Sequence, residues 1–246
     1  MLRRNLPSAR PERAAAVLVL LLAAWSAQAA APVGSITHLS GTLSVNRADG
    51  STKVLSTRSE VLEGDTLATA QDTYARMKFS DGAEVVLRPE TRFKIETYRY
   101  DEGKPESDSV ILGLLKGGLR SVTGLLGLRN KNRFSLQTGT ATIGIRGTHF
   151  GALICNADCQ NIPTVSGQPP ADGLHVDVAS GSVAITNPAG SQVLNAGQFG
   201  FVGGANVRPV EVPAAQGIRV TMPTAISNNA SGGHSVTARG DAACSF

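Results

Sequence analysis

Residues 141–150 read Ala-Thr-Ile-Gly-Ile-Arg-Gly-Thr-His-Phe, and this stretch decides the fold class. Ile143 and Ile145 alternate with small or polar neighbours, so they share one face of a strand. Gly144 and Gly147 interrupt it, and a strand interior keeps glycine where a bulge or a close backbone approach needs the space. Arg146 lies between them, a planar group of five donors suited to a carboxylate or to several carbonyls at once. Framed by glycine and apolar residues, Arg146 is expected to be buried and bonded, stapling neighbouring segments together.

Strand signals continue on both sides. Ala75, Met77 and Phe79 share one face, Arg76 and Lys78 the other. Asp81-Gly82 turns the chain, and Glu84-Val85-Val86-Leu87 returns as the partner strand, ended by Pro89. Phe93 and Ile95 alternate with charged residues and face inward, whereas residues 101–108 form a polar, exposed loop. Residues 110–128 are rich in leucine, yet Gly113, Gly117, Gly118, Gly124 and Gly127 argue against a stable helix, at a cost of up to ~1 kcal/mol each relative to Ala. Two buried strands with a glycine bend are expected there, with irregular chain at 125–128. Residues 129–133, Arg-Asn-Lys-Asn-Arg, read as a solvated basic turn rather than an anion site.

The sequence also echoes itself. Gly41-Thr-Leu-Ser-Val, with Gly50-Ser51 beyond it, is answered by Gly181-Ser-Val-Ala-Ile and Gly190-Ser191, and each copy then reaches a Val-Leu pair, at 54–55 and 193–194. The repeated unit is strand-turn-strand. An all-β fold follows: stacked hairpins forming a sandwich or short solenoid-like body, with a flexible C-terminal tail.

The first residues belong to neither strand pattern nor core. Arg3, Arg4, Arg10 and Arg13 precede an apolar run at 14–25, and Ala27-Gln28-Ala29 follows, the order of a secretory signal peptide cut after Ala29 or Ala31. The run is short of the ~20 residues that span a bilayer. The chain has 23 basic and 19 acidic side chains, net +4, but the leader holds four Arg and one Glu, which leaves 19 against 18 after cleavage. That near-balance removes the electrostatic case for a nucleic-acid partner. The expected organisation is a leader at 1–31, a β domain at 32–154, a loop at 155–172, a further β unit at 173–212 packing on the domain, and a mostly flexible tail at 213–246.

Three cysteines are present. In an exported chain Cys155 and Cys159 can close a small disulfide loop, which leaves Cys244 odd. The competing reading, a metal held by Cys155, Cys159 and His149, matches no common zinc spacing.

Residues 140–150 resemble the Arg-Gly-Thr-x-Phe signature of FecR domains, the periplasmic sensing domains of iron-citrate-type regulators. Gly41-Thr-Leu-Ser-Val, Glu63-Gly64-Asp65-Thr66-Leu67, Asp81-Gly82 and Leu115-Lys116-Gly117-Gly118 agree in order, so the resemblance runs from about residue 34 to 153. It implies an all-β envelope domain that binds protein and has no catalytic residues. Gly144, Arg146, Gly147, Thr148 and Phe150 match its structural signature. In the regulators it resembles, a cytoplasmic N-terminal segment controls a sigma factor. Only thirteen residues precede the apolar run here, so a stand-alone exported form is expected.

No Gly-x-Ser-x-Gly, His-Glu-x-x-His or phosphate-cradling loop accompanies His38, His149, His175 or His234, so neither an enzyme nor a cofactor is expected. The expected role is a binding or signalling-accessory module with an envelope protein as partner, and not an integral membrane protein after cleavage. The alternative is an envelope glycan or polymer, for which Tyr98 and Tyr100 on one strand face would serve as the ligand face.

Overall fold

A computed structural model describes residues 31–162, 164–165, 167–224 and 226. The expected leader up to Ala30, the tail beyond Ile226, and Cys244 lie outside the described residues. The described residues from Pro32 onward form one compact unit. Among the described residues it contains fifteen strands, β1 (Pro32–Ser40), β2 (Leu43–Asn46), β3 (Thr52–Leu55), β4 (Glu60–Leu62), β5 (Thr66–Thr69), β6 (Tyr74–Phe79), β7 (Glu84–Leu87), β8 (Arg92–Arg99), β9 (Ser109–Val122), β10 (Phe134–Gln137), β11 (Thr142–Cys155), β12 (Gly173–Asn187), β13 (Gly190–Asn195), β14 (Phe199–Val202) and β15 (Val210–Val212). One short helix, α1 (Leu125–Arg129), follows β9. None of the helices is long and apolar enough to cross a membrane among the described residues.

Three long strands make two layers out of one sheet. The first limbs of β9 and β11 and the last limb of β12 join the order β3-β2-β5-β8-β9-β10-β11-β12-β13. Their other limbs join β4-β1-β6-β7-β9-β11-β12-β14-β15. Each long strand changes layer at a glycine with positive φ: Gly117 (76°), Gly147 (62°) and Gly181 (76°). A side chain is strained in that region, so glycine marks the corner. The pairing is antiparallel except between β9 and β10.

The core lies between the layers. Phe93, Ile95 and Leu114 from the first layer meet Met77, Leu87, Leu119 and Phe150 from the second, all fully buried. Phe79 of β6 stacks on Tyr98 of β8 across the core, with ring centroids 4.7 Å apart. The expected β6–β7 hairpin is present, with Lys78 opposite Glu84 and Ala75 opposite Leu87. The sequence echo is structural too: Leu43 pairs with Leu55 as Val183 pairs with Leu194, at the outer strands of the first layer. Residues 110–122, expected as two strands, form one strand bent at Gly117, and the expected irregular chain at 125–128 is the start of α1.

A second, smaller cluster covers the outer face of the second layer. Ile218 and Val220 pack with Leu153, Cys155 and Cys159. This explains why residues 150–154 are apolar without alternation: Phe150 and Ala152 face the main core while Leu153 faces outward under the 218–220 segment. Residues 213–224, expected as the beginning of a flexible tail, are instead tied down, and Val220 is fully buried.

Candidate functional site

β11 carries the residues singled out in the sequence, and the pairing of β11 with β12 shifts register between Arg146 and Phe150. That bulge, with Gly147 at its crest, determines where each signature side chain goes. Phe150 enters the core. Thr148 is buried at 2% exposure and accepts the amide of Arg146 on its hydroxyl at 3.2 Å while donating to the carbonyl of Ser182 at 3.2 Å. Its own backbone is held by Thr123, whose hydroxyl accepts the Thr148 amide and donates to the Thr148 carbonyl.

Arg146 is exposed, and its side chain makes no hydrogen bond or ion pair among the described residues. The expectation of a buried staple is therefore corrected. On a twisted strand its side chain alternates outward from Ile145, and the bulge after it turns Thr148 inward instead. Gly144 is also corrected: a Cβ there would meet nothing nearer than the Ala184 carbonyl oxygen at 3.9 Å, so no close approach requires a glycine.

The stapling arginine is Arg120, on β9. Arg120, Gly151 and Asp177 lie in one row across β9, β11 and β12, on the outer face of the second layer. Arg120 donates to Asp177 Oδ2 at 3.1 Å, to the Val220 carbonyl at 2.6 Å and to His149 Nε2 at 2.7 Å. The Val220 amide donates to Asp177 Oδ1 at 2.9 Å. Gly151 leaves the room for this, since a Cβ would collide with Asp177 and Val220. His149 accepts from Arg120, so its ring is neutral. Burial, and then the adjacent guanidinium, hold its pKa below the ordinary histidine value.

Tyr98 and Tyr100 do not form a ligand platform. Tyr98 is 6% exposed and donates its hydroxyl to Asp81 Oδ1 at 2.5 Å; burial, and then that carboxylate, push its pKa well up. Asp81 also accepts the amides of Ala83 and Leu126, so it anchors the start of α1. Tyr100 lies beneath the Arg129 guanidinium, 4.7 Å from ring centroid to the charge. Arg129 in turn grips buried Asp108 through Nε and Nη2 at 2.7 and 2.8 Å, which lowers the Asp108 pKa. Within the expected basic turn, then, one arginine is bonded internally, and Lys131 and Arg133 remain exposed. Cys155 and Cys159 are joined in a disulfide, so they are not thiolate ligands for a metal.

What the signature presents outward is a face. α1 projects Leu125 and Leu128, 53% and 55% exposed, while Leu126 is fully buried. The Leu128 side chain lies over Gly147, 3.1 Å from the position a Cβ would take. Exposed Arg146 adjoins it in sequence, and exposed Lys131 and Arg133 follow α1. Two large exposed apolar side chains and three exposed cations thus fall within a few residues of α1 and the Gly147 turn, a combination suited to an apolar segment carrying acidic residues. Sequence reading did not single out Leu125, Leu128, Thr123 or Arg120. The Gly124–Gly127 spacing was the available signal, because it frames a single helical turn with leucine on both sides.

Residues 65–184 match the family described as FecR protein. The match begins later and ends later than the stretch of resemblance in the sequence, taking in β12 as far as Ala184. No curated protein matches the chain. Among solved structures, a candidate anti-sigma factor from Parabacteroides distasonis is similar at 14% identity and a TM-score of 0.43, over 60% of this chain and 58% of that one. A second crystal structure with the same description gives 15% identity and a TM-score of 0.44, with the same coverage. A domain described as a cell surface anchoring domain is 27% identical over 25% of this chain and 82% of its own, with a TM-score of 0.25. The chain thus spans 58% of the length of the first of these structures. Residues 65–184 are thus similar to FecR proteins, in keeping with the resemblance carried by residues 140–150.

Proposed function

We propose that this protein is an exported, non-catalytic signalling accessory of the bacterial envelope that docks a protein partner through the α1 face. The observation that carries the reading is exposed Leu128 lying over Gly147, next in sequence to exposed and unbonded Arg146, within the stretch that matches the FecR family, with exposed Leu125 on the same short helix. Two other arginines, by contrast, are engaged internally, Arg120 with Asp177 and Arg129 with Asp108. The partner segment suited to this face is apolar and acidic. The Arg-rich leader and its Ala-Gln-Ala end support export, and the FecR family supports an envelope location.

The test is photo-crosslinking in intact cells from a reactive residue placed at Leu128. One dominant envelope protein is expected, and Leu125→Glu with Arg146→Glu should abolish its capture without changing the melting midpoint. Capture that persists in that variant, or wall polymer recovered in place of protein, would overturn the reading.

A further inference from the structure

A cleft of about 240 Å³ opens between the end of β7, the bend of β9 and the disulfide-closed loop after β11. Its floor is Gly118, where any side chain would collide with Leu153 Cδ1 and press on Arg88 Cδ. Arg88 is held by its backbone alone: its amide donates to the Gly118 carbonyl at 2.9 Å and its carbonyl accepts the Thr69 hydroxyl at 2.6 Å. The guanidinium, half-buried in the cleft, makes no ion pair and no hydrogen bond among the described residues. Burial lowers the Arg88 pKa, and no carboxylate compensates for it. An unpaired, desolvated guanidinium is costly, and five donors aimed at a cavity are a ready fork for an anion.

The rest of the lining restricts the ligand. Lys116 adds a second cation at the rim, loosely paired with Asp158 at 3.6 Å. Leu153, Ile154 and Ile162 supply an apolar wall, and Glu90 lines the cleft with its backbone in the left-handed region, at φ 53°. Rim carboxylates disfavour a multiply charged phosphate and favour a ligand that is itself cationic away from its acid group. The volume is below the ~300 Å³ at which drug-sized pockets begin, which suits a body of a few heavy atoms.

We propose that this cleft binds a free carboxylate carrying a short apolar side chain, as in an α-amino acid or the carboxyl-terminal residue of a peptide, with Arg88 clasping the carboxylate. Arg88 reads the acid, Leu153 and Ile162 contact the side chain, and the rim carboxylates accept an ammonium where the ligand has one. The cleft shares no residue with the α1 face, so its failure leaves the docking reading untouched.

The test is amide NMR titration of the full mature chain with L-leucine, N-acetyl-L-leucine, L-leucinamide and inorganic phosphate as probes. Saturable shifts at Gly117 and Gly118 are expected with the two carboxylates and not with leucinamide or phosphate. Tighter binding of L-leucine identifies a free amino acid as the ligand, and tighter binding of the acetylated form identifies a peptide terminus. Arg88→Gln should weaken binding about tenfold, the scale of a lost charge-assisted pair. Lys116→Gln, at an exposed position, should weaken it less. Shifts of equal size with leucinamide or phosphate, or none with any probe, overturn the proposal even if Arg88→Gln fails to fold.

Discussion

The hydroxyl of Thr123 bonds both backbone groups of Thr148, accepting its amide at 2.9 Å and donating to its carbonyl at 2.8 Å. Thr148 then passes the connection on to Ser182 in β12. Two threonines thus tie the glycine corners of β11 and β12 to the end of β9. The same device recurs at Gly117, where the Thr91 hydroxyl accepts the Gly118 amide at 3.0 Å and donates to its carbonyl at 2.9 Å. At Gly41 half of it is present: the Thr73 hydroxyl accepts the Thr42 amide at 3.0 Å and donates to the Gln71 carbonyl. A corner between layers removes backbone groups from the sheet ladder, and a buried hydroxyl with both donor and acceptor capacity replaces what is lost.

Thr148→Val keeps the shape and deletes the hydroxyl, stranding the Arg146 amide and the Ser182 carbonyl. The expected loss is about 1–3 kcal/mol in urea unfolding. Arg146→Met, in contrast, should stay within about 0.5 kcal/mol of the parent, because its side chain makes no bond to lose. Equal effects from the two substitutions would return the stapling role to Arg146.

Gly181→Ala and Gly144→Ala should separate just as clearly. A Cβ at Gly181 would strike the Gly147 carbonyl oxygen, and its φ of 76° is unfavourable to alanine. A Cβ at Gly144 has free space. The first variant is expected to fold poorly or melt far lower; the second should be neutral or slightly more stable, since alanine loses less chain entropy on folding. Thermal denaturation of both decides it.

Val220→Ala tests whether the C-terminal segment is part of the folded unit. The side chain is fully buried against Leu153 and the disulfide, so its truncation should cost about 2 kcal/mol. Limited proteolysis should also become faster between residues 213 and 224. An unchanged midpoint with unchanged cleavage would mean that the segment adds nothing to the body.

Much of this architecture was legible because hydrophobic alternation and turn chemistry are local. The β6–β7 hairpin needs only Asp81-Gly82 and the alternation of Ala75, Met77 and Phe79. The inward Phe93 and Ile95 follow from the same period. The disulfide was legible from two cysteines four residues apart. Arg146 misled because a glycine-framed arginine looks enclosed, whereas the bulge at Gly147 reverses which residue faces in. Arg120 was invisible for a different reason. Its partners Asp177 and Val220 are 57 and 100 residues away, and only the three-strand row brings them together. The Tyr98–Tyr100 pair failed as a ligand face because β8 is an inner strand, flanked by β5 and β9, with Tyr98 turned to the core.

Acid should loosen the outer face of the second layer. His149 accepts from Arg120, and burial followed by that charge holds its pKa below 6.5; burial does the same for His175. Unfolded, both rings titrate near 6.5, so below that value the unfolded chain binds protons that the native state refuses. Their contribution to stability is full above about pH 6.5 and falls as the pH drops toward the native pKa values. The carboxylate of Asp108, held low by Arg129, acts in a separate window below its ordinary 3.8. The melting midpoint is therefore expected to be flat from about pH 8 to 6.5 and to decline as the pH falls below about 6.5. His149→Gln offers Arg120 an acceptor that does not titrate, and the decline should become shallower. A His149→Gln profile that superimposes on the parent would show that Arg120, with Asp177 and the Val220 carbonyl, holds this face without sensing the proton on His149.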